Sequence, residues 1–196
     1  MRHCLDMDTI QVEISGKCVN QCSNCTRFIN HYPGWFMSLD QFKEAIDSLI
    51  DYPNMIGLTG GEPLLNPDFE KMCEYASSKI PRERLGLWTT LPRGKEFLSE
   101  TICKTFKHIL VNDHSINTIF HHPALVSIKD VLKDGKPRDE HTMFAKINKC
   151  WAQHSWSASV NPFGGYLCEM MASFAMLYND PETARPIKPG WWKENV

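Results

Sequence analysis

"TIQVEISGKCVNQCSNC", residues 9–25, carries a strand directly into a cysteine loop, and that junction decides the fold. Thr9 to Ser15 alternates apolar and polar side chains with the two-residue period of a strand. Cys18, Cys22 and Cys25 follow at once, three of the eight cysteines in the chain, with three and then two residues between them. Disulfides between neighbours so close would strain the loop and leave an odd thiol over. A metal or cluster site is the physical alternative, and a three-ligand site needs something else in its fourth position. A zinc knuckle would want a fourth protein ligand, which His31 could supply. An iron–sulfur cube is ordinarily held by four cysteines, so three of them leave one iron open to a small molecule.

Outward from the loop, strands and helices alternate. "MSLDQFKEAIDSLIDY" reads as a helix capped by Ser38, with Gln41 completing a capping box and Phe42, Ala45, Ile46, Leu49 and Ile50 forming its apolar stripe. Met55 to Thr59 is a short buried strand that ends in "GGEPLLN", and Asn66-Pro67 opens a second helix over 68–79. A third strand (85–90), a third helix (95–106) and a fourth strand (108–112) continue the pattern. Residues 115–137 are ambiguous and loop-like, and 139–150 resumes helical spacing. "SWSASVNPFGGYLCEM" reads as a β-hairpin around Asn161-Pro162 and Gly164-Gly165, followed by a short helix and an irregular tail from Asn179. This order predicts an α/β fold with a parallel sheet, crossover helices and a site at the strands' C-terminal ends. Both the cysteine loop and the two adjacent glycines at 60 and 61 fall on that rim. Glycine there permits unusual backbone angles and close approach of a ligand to main-chain groups.

A length of 196 residues suits one domain, or one domain with a small appendage. The net charge of −2 contains no block of like charges, which excludes a broad nucleic-acid surface. Asp6 and Asp8 stand where a signal peptide needs an apolar run, and no stretch approaches the roughly 18–20 apolar residues of a membrane span. The cytoplasm is the expected compartment, and no membrane partner is expected. In that reducing setting clustered cysteines read as ligands before they read as disulfides.

"CVNQCSNC" resembles the CxxxCxxC cluster loop of the radical S-adenosylmethionine (SAM) superfamily, and "GGEP" at 60–63 resembles that family's methionine-binding motif. The resemblance covers residues 9–113 well and implies a shortened or open partial (β/α) barrel with a small C-terminal β-hairpin/helix appendage. The family barrel has six strand–helix units, and at roughly 30 residues per unit the stretch from Cys25 to Cys150 holds about four. The resemblance further implies a 4Fe–4S cluster on Cys18, Cys22 and Cys25, with SAM chelating the open iron. Reductive cleavage of SAM would then give methionine and a 5′-deoxyadenosyl radical that abstracts a substrate hydrogen. It assigns Gly60, Gly61, Glu62 and Pro63 to the methionine end of SAM, places Thr89 and Thr90 facing the site, and sets Asn112 near the ribose. A reductant protein such as flavodoxin or ferredoxin is implied as partner. Asn24 occupies the position where the family usually carries an aromatic residue against the adenine, so adenine is expected to be held in another way.

"CWAQHSWSASVNPFGGYLC" resembles the opening of a SPASM/twitch extension, with Cys150 and Cys168 as a second candidate metal site and residues 1–149 and 150–196 as the two regions. Two thiolates do not complete a four-cysteine cluster, so a second iron–sulfur cluster would need further ligands, and two buried cysteines in a hairpin core are the alternative. Cys4, Cys73 and Cys103 read as small hydrophobes, Trp191 and Trp192 as packing residues, and Arg27 as a solvated or capping residue. The competing function is a non-enzymatic module, either a zinc-stabilised interaction domain or an iron–sulfur electron carrier. A carrier gains nothing from an open iron or from "GGEP". The substrate is left open between a peptide and a nucleoside or other small metabolite, with a rearrangement as one case.

Overall fold

A computed structural model describes residues 3–22, 25–112, 132–134, 136–137, 139–150 and 158–193. Its first strand, β1 (Thr9–Ser15), is buried along its whole length, and the expected alternation follows directly. Helix α1 (Leu39–Ser48), β2 (Met55–Gly60), α2 (Phe69–Lys79), β3 (Leu85–Thr89), α3 (Ser99–Thr105) and β4 (His108–Val111) succeed it. A two-residue hairpin of β5 (Leu132–Lys133) and β6 (Lys136–Pro137) falls in the stretch that reads as loop. Helix α4 (Glu140–Ile147), β7 (Ala158–Asn161), β8 (Gly164–Tyr166) and α5 (Glu169–Tyr178) complete the order.

Among the described residues the main sheet has six strands in the order β4-β3-β2-β1-β7-β8, with β1 to β4 and β7 parallel and β8 antiparallel to β7. These strands form an open partial barrel that does not close on itself. The C-terminal hairpin joins this sheet: Ile10, Gln11 and Val12 of β1 pair in parallel with Ala158, Ser159 and Val160. Two edges of β1 are thereby used, and the cysteine loop springs from the centre of the sheet.

One face of the sheet carries Ile10, Val12, Ile14, Ile56, Leu58, Leu85, Leu87 and Val160, all fully buried in a single core with residues of α1, α2 and α3. Helix α1 forms as its sequence demands. The Ser38 hydroxyl accepts from the Gln41 N–H at 3.2 Å, and the Gln41 side chain accepts from the Ser38 N–H at 3.0 Å. The helix ends at Ser48, so Ile50 lies beyond the stripe and is exposed. The tail looks irregular in sequence yet is anchored. Trp191 and Trp192 are buried, and their indole N–H groups donate to the Ser48 hydroxyl at 3.2 Å and the Ser48 carbonyl at 3.1 Å.

The opposite face is polar. Gln11, Glu13 and Ser15 of β1, Thr59 of β2 and Ser159 and Asn161 of β7 alternate with the core residues and are themselves buried. A desolvated polar row at the centre of a sheet is costly unless every group finds a partner.

Candidate active site

The two motifs that read as separate ligand loops are one backbone assembly. Pairing of β1 with β2 shifts at the rim, so that Ser15 lies opposite Gly60. Gly60 adopts φ +142°, and a Cβ there would stand 2.2 Å from the Ser15 carbonyl oxygen. The Gly61 N–H donates to that carbonyl at 2.7 Å, and the Glu62 N–H donates to the Lys17 carbonyl at 2.7 Å. A Cβ on Gly61 would stand 2.3 Å from the Lys17 oxygen and 3.1 Å from Cys18 Cβ. The glycines therefore strap down the stem of the cysteine loop. Gly61→Val should push that stem away, at about 1–3 kcal/mol of overpacking, and lower iron uptake together with SAM binding. An iron assay on folded variant protein checks this, and full iron content would contradict it.

Glu62 is completely buried. One carboxylate oxygen accepts from the Leu64 N–H at 3.0 Å and the Thr89 hydroxyl at 2.6 Å. The other accepts from the Thr90 N–H and the Thr90 hydroxyl, each at 2.7 Å. Its side chain locks the end of β2 to the end of β3, and Thr89 spends its hydroxyl in the same lock. The Asn112 N–H donates to the Thr89 carbonyl at 2.8 Å, which sets half-buried Asn112 on the same rim one strand further along.

Cys18, Cys22 and Cys25 are half-buried, and none of the eight cysteines forms a disulfide. The Asn20 N–H approaches the Cys18 sulfur at 3.4 Å, and the Cys25 N–H donates to the Cys22 carbonyl at 3.3 Å. Burial pushes the Cys18 thiol above its usual range, and the negative charges of Glu62, Cys22 and Cys25 push it the same way. Cys22 is raised by burial and then by Cys25. The thiolate forms of Cys18 and Cys22 are thus disfavoured here, and a cationic metal centre reverses that penalty. The donor set thus fits a cluster: all-sulfur, held by a short loop, and at a rim with backbone for a co-ligand. His31 is exposed, and among the described residues no group of three or more His, Cys, Asp or Glu side chains is gathered as a single metal ion would gather it. Asn24 lies outside the described residues.

Arg27, two residues beyond the last cysteine, is neither solvated nor a cap. It is buried, with its guanidinium 2.7 Å from Glu13 and 3.1 Å from Glu169 and donating to Gln11 as well. Gln11 in turn donates to Glu169 at 2.9 Å, and the Ser159 hydroxyl donates to Glu13. Burial raises the Glu13 carboxyl above the ordinary carboxylate range, opposed by the Arg27 charge. Burial opposes the charge on Arg27, and Glu13 and Glu169 outweigh it. The network fastens the exit of the cysteine loop to β1, β7 and the first turn of α5. One signal for it stands in the sequence: Gln11 and Glu13 at period two in a strand flanked by apolar residues.

Cys168 is the N-cap residue of α5 and half-buried, and Cys150, which follows the end of α4 at Ile147, is buried. They belong to no gathered set of metal ligands among the described residues. Cys4 and Cys73 are buried thiols, which burial pushes up to about 11 and about 12 respectively, consistent with inert packing residues.

An open parallel sheet, a cysteine loop after its first strand and a glycine strap after its second define an enzyme of the radical SAM class. The Radical SAM superfamily model matches residues 12–133, more than half of the chain, and the chain belongs to that superfamily. No curated protein matches it. Among solved structures it resembles BtrN in complex with AdoMet and 2-DOIA, with TM-score 0.60 and 15% identity over 96% of this chain and 83% of that one. It also resembles selenomethionine BtrN in an open conformation, with TM-score 0.62 and 18% identity over 96% and 81% of the two chains. At these identities the likeness concerns the fold.

Proposed function

We propose that this chain binds a 4Fe–4S cluster through Cys18, Cys22 and Cys25 and cleaves SAM reductively to abstract hydrogen from a substrate. The observation that carries the reading is the strap: Gly60 to Glu62 hydrogen-bonds directly to the stem of the cysteine loop, so the two motifs share one rim. The cluster, when bound, supplies the electron that breaks SAM and an open iron for its amino acid end. Gly60 to Pro63 meet the methionine end through main chain, Glu62 and Thr89 hold that main chain in shape, and Asn112 reaches the ribose. The hydrogen donor is a peptide, or a nucleoside or other small metabolite. A flavodoxin- or ferredoxin-type reductant delivers the electron, which suits the reducing cytoplasm. Residues 1–149 are the region of the cofactor rim, and in the region 150–196 strands β7 and β8 extend the sheet beyond β1. BtrN, which shares the fold, is described with AdoMet bound, in line with the cofactor assigned here.

Anaerobic reconstitution followed by dithionite and SAM tests the reading. 5′-Deoxyadenosine is the expected product, and its absence from a correctly loaded protein would overturn the assignment. Cys150 and Cys168 supply two thiolates, short of the four that a second cluster takes, so about four irons per chain are expected. A count of about eight, lost in a Cys150→Ala, Cys168→Ala double variant, would instead assign those thiols to a second centre.

A further inference from the structure

Helix α5 meets the exit of the cysteine loop through one carboxylate. Glu169 opens the helix and is 5% exposed, and its Oε2 accepts from the Gln11 amide at 2.9 Å and from Arg27 at 3.1 Å. Arg27 stands in the turn that the last cysteine begins. The Phe28 N–H donates to the Cys25 carbonyl at 3.1 Å, and the Tyr32 hydroxyl donates to the Arg27 carbonyl at 2.9 Å. The guanidinium is therefore fixed at the loop exit by its own backbone, and Glu13 and Glu169 are fixed to the guanidinium. Burial opposes the charge on Arg27, and Glu13, Glu169 and then Cys25 hold it in the charged form. A candidate cluster ligand and a residue of the C-terminal helix thus act on the same buried cation.

Hydrogen bonding alone does not call for a second carboxylate here. An amide at position 169 would accept from the same two donors through its oxygen, and Glu13 already pairs with Arg27 at 2.7 Å. What Glu169 adds is charge. Two carboxylates on one guanidinium leave a negative excess beside the loop, in a buried setting where solvent and salt screen little. Each electron that the reductant delivers to the cluster adds one negative charge at that place, and net charge is one of the quantities that set an iron–sulfur potential. We propose that Glu169 is a positioning residue that acts through Arg27 to hold down the reduction potential of the cluster, an inference that rests on the radical SAM reading above. The C-terminal region thereby takes part in electron uptake through a fixed charge, in addition to extending the sheet.

Redox titration of the anaerobically reconstituted protein, followed by the EPR signal of the reduced cluster, reads this potential without turnover. Glu169→Gln keeps the size and the acceptor oxygen of the side chain and removes its charge. It should take up wild-type iron and raise the ratio of reduced to oxidised cluster, at a fixed potential, by about 3- to 10-fold. Tenfold corresponds to about 59 mV for a one-electron couple. Glu182→Gln removes an exposed charge just beyond the same helix and should leave the potential at the wild-type value, because solvent and salt screen that position. A role confined to fastening predicts a wild-type potential in Glu169→Gln, and that result would overturn the proposal. So would an equal shift in Glu182→Gln, or a Glu169→Gln protein that takes up no iron, which would place Glu169 in assembly of the site. All three outcomes leave the radical SAM reading standing. A wild-type protein that takes up no iron–sulfur cluster would instead strike that reading itself.

Discussion

Arg27→Met should destabilise the folded protein by about 3–5 kcal/mol near neutral pH, because it leaves two buried carboxylates facing each other without their cation. Glu13, Glu169 and Arg27 are all buried, so solvent does not screen the loss. The effect has a definite pH dependence. Burial already raises the folded-state carboxyl of Glu13 above its unfolded value, and removal of Arg27 raises it further. A carboxyl raised in the folded state contributes stability that is fully present below the unfolded value and lost as pH rises through the folded one. The variant should therefore regain part of its deficit as pH falls from about 7 toward about 5. Adding Glu13→Gln to Arg27→Met should restore part of the stability at neutral pH, since one of the two buried charges is removed and its hydrogen-bonding shape kept. Urea unfolding at the two pH values measures both. An Arg27→Met midpoint equal to wild type at neutral pH would show that the network bears no weight.

Alanine at Cys18, Cys22 or Cys25 should abolish 5′-deoxyadenosine formation and the spectral response to SAM. Two thiolates and a methyl cannot hold three irons of a cube, and each of these cysteines emerges on a loop with no spare thiol beside it. Cys103→Ala, at an exposed helical position, should leave iron content and activity at the wild-type level. The strap predicts a further asymmetry. Cys18 sits against Gly61, so the loop stem stays placed in Cys18→Ala, and the loss is one of chemistry and not of folding. Equal thermal unfolding of the apo forms of Cys18→Ala and wild type is expected. Retained SAM cleavage in any one of the three variants would remove that cysteine from the ligand set.

Much of this was legible in the sequence because it is local. The period of Thr9 to Ser15, the capping box of Ser38 and Gln41 and the turn residues at 161–165 act over a few residues, and each produced the expected element. The motifs were legible for the same reason. What was not legible depends on contacts between residues far apart in sequence. Arg27 reads as an ordinary surface cation until Glu169, from the far end of the chain, is brought to 3.1 Å from it. Glu62 is one residue of a short loop motif in sequence, and nothing local shows that the hydroxyls of Thr89 and Thr90 and the Thr90 N–H, on another strand, bind its two oxygens. The hairpin at 158–166 is visible in sequence, but its parallel seat beside β1 is not, because register between distant strands leaves no local mark. Trp88 is unremarkable in "LGLWTT", and the packing of its ring over Gly57 on another strand leaves no local mark.

The EPR spectrum of the dithionite-reduced, reconstituted protein, recorded before and after SAM is added, tests the central claim most directly. Three-cysteine ligation with an open iron predicts a 4Fe–4S signal that changes on adding SAM, because the cofactor's amino acid end joins the cluster itself. A signal that SAM leaves unaltered, or a colourless protein with zinc in place of iron, would contradict it.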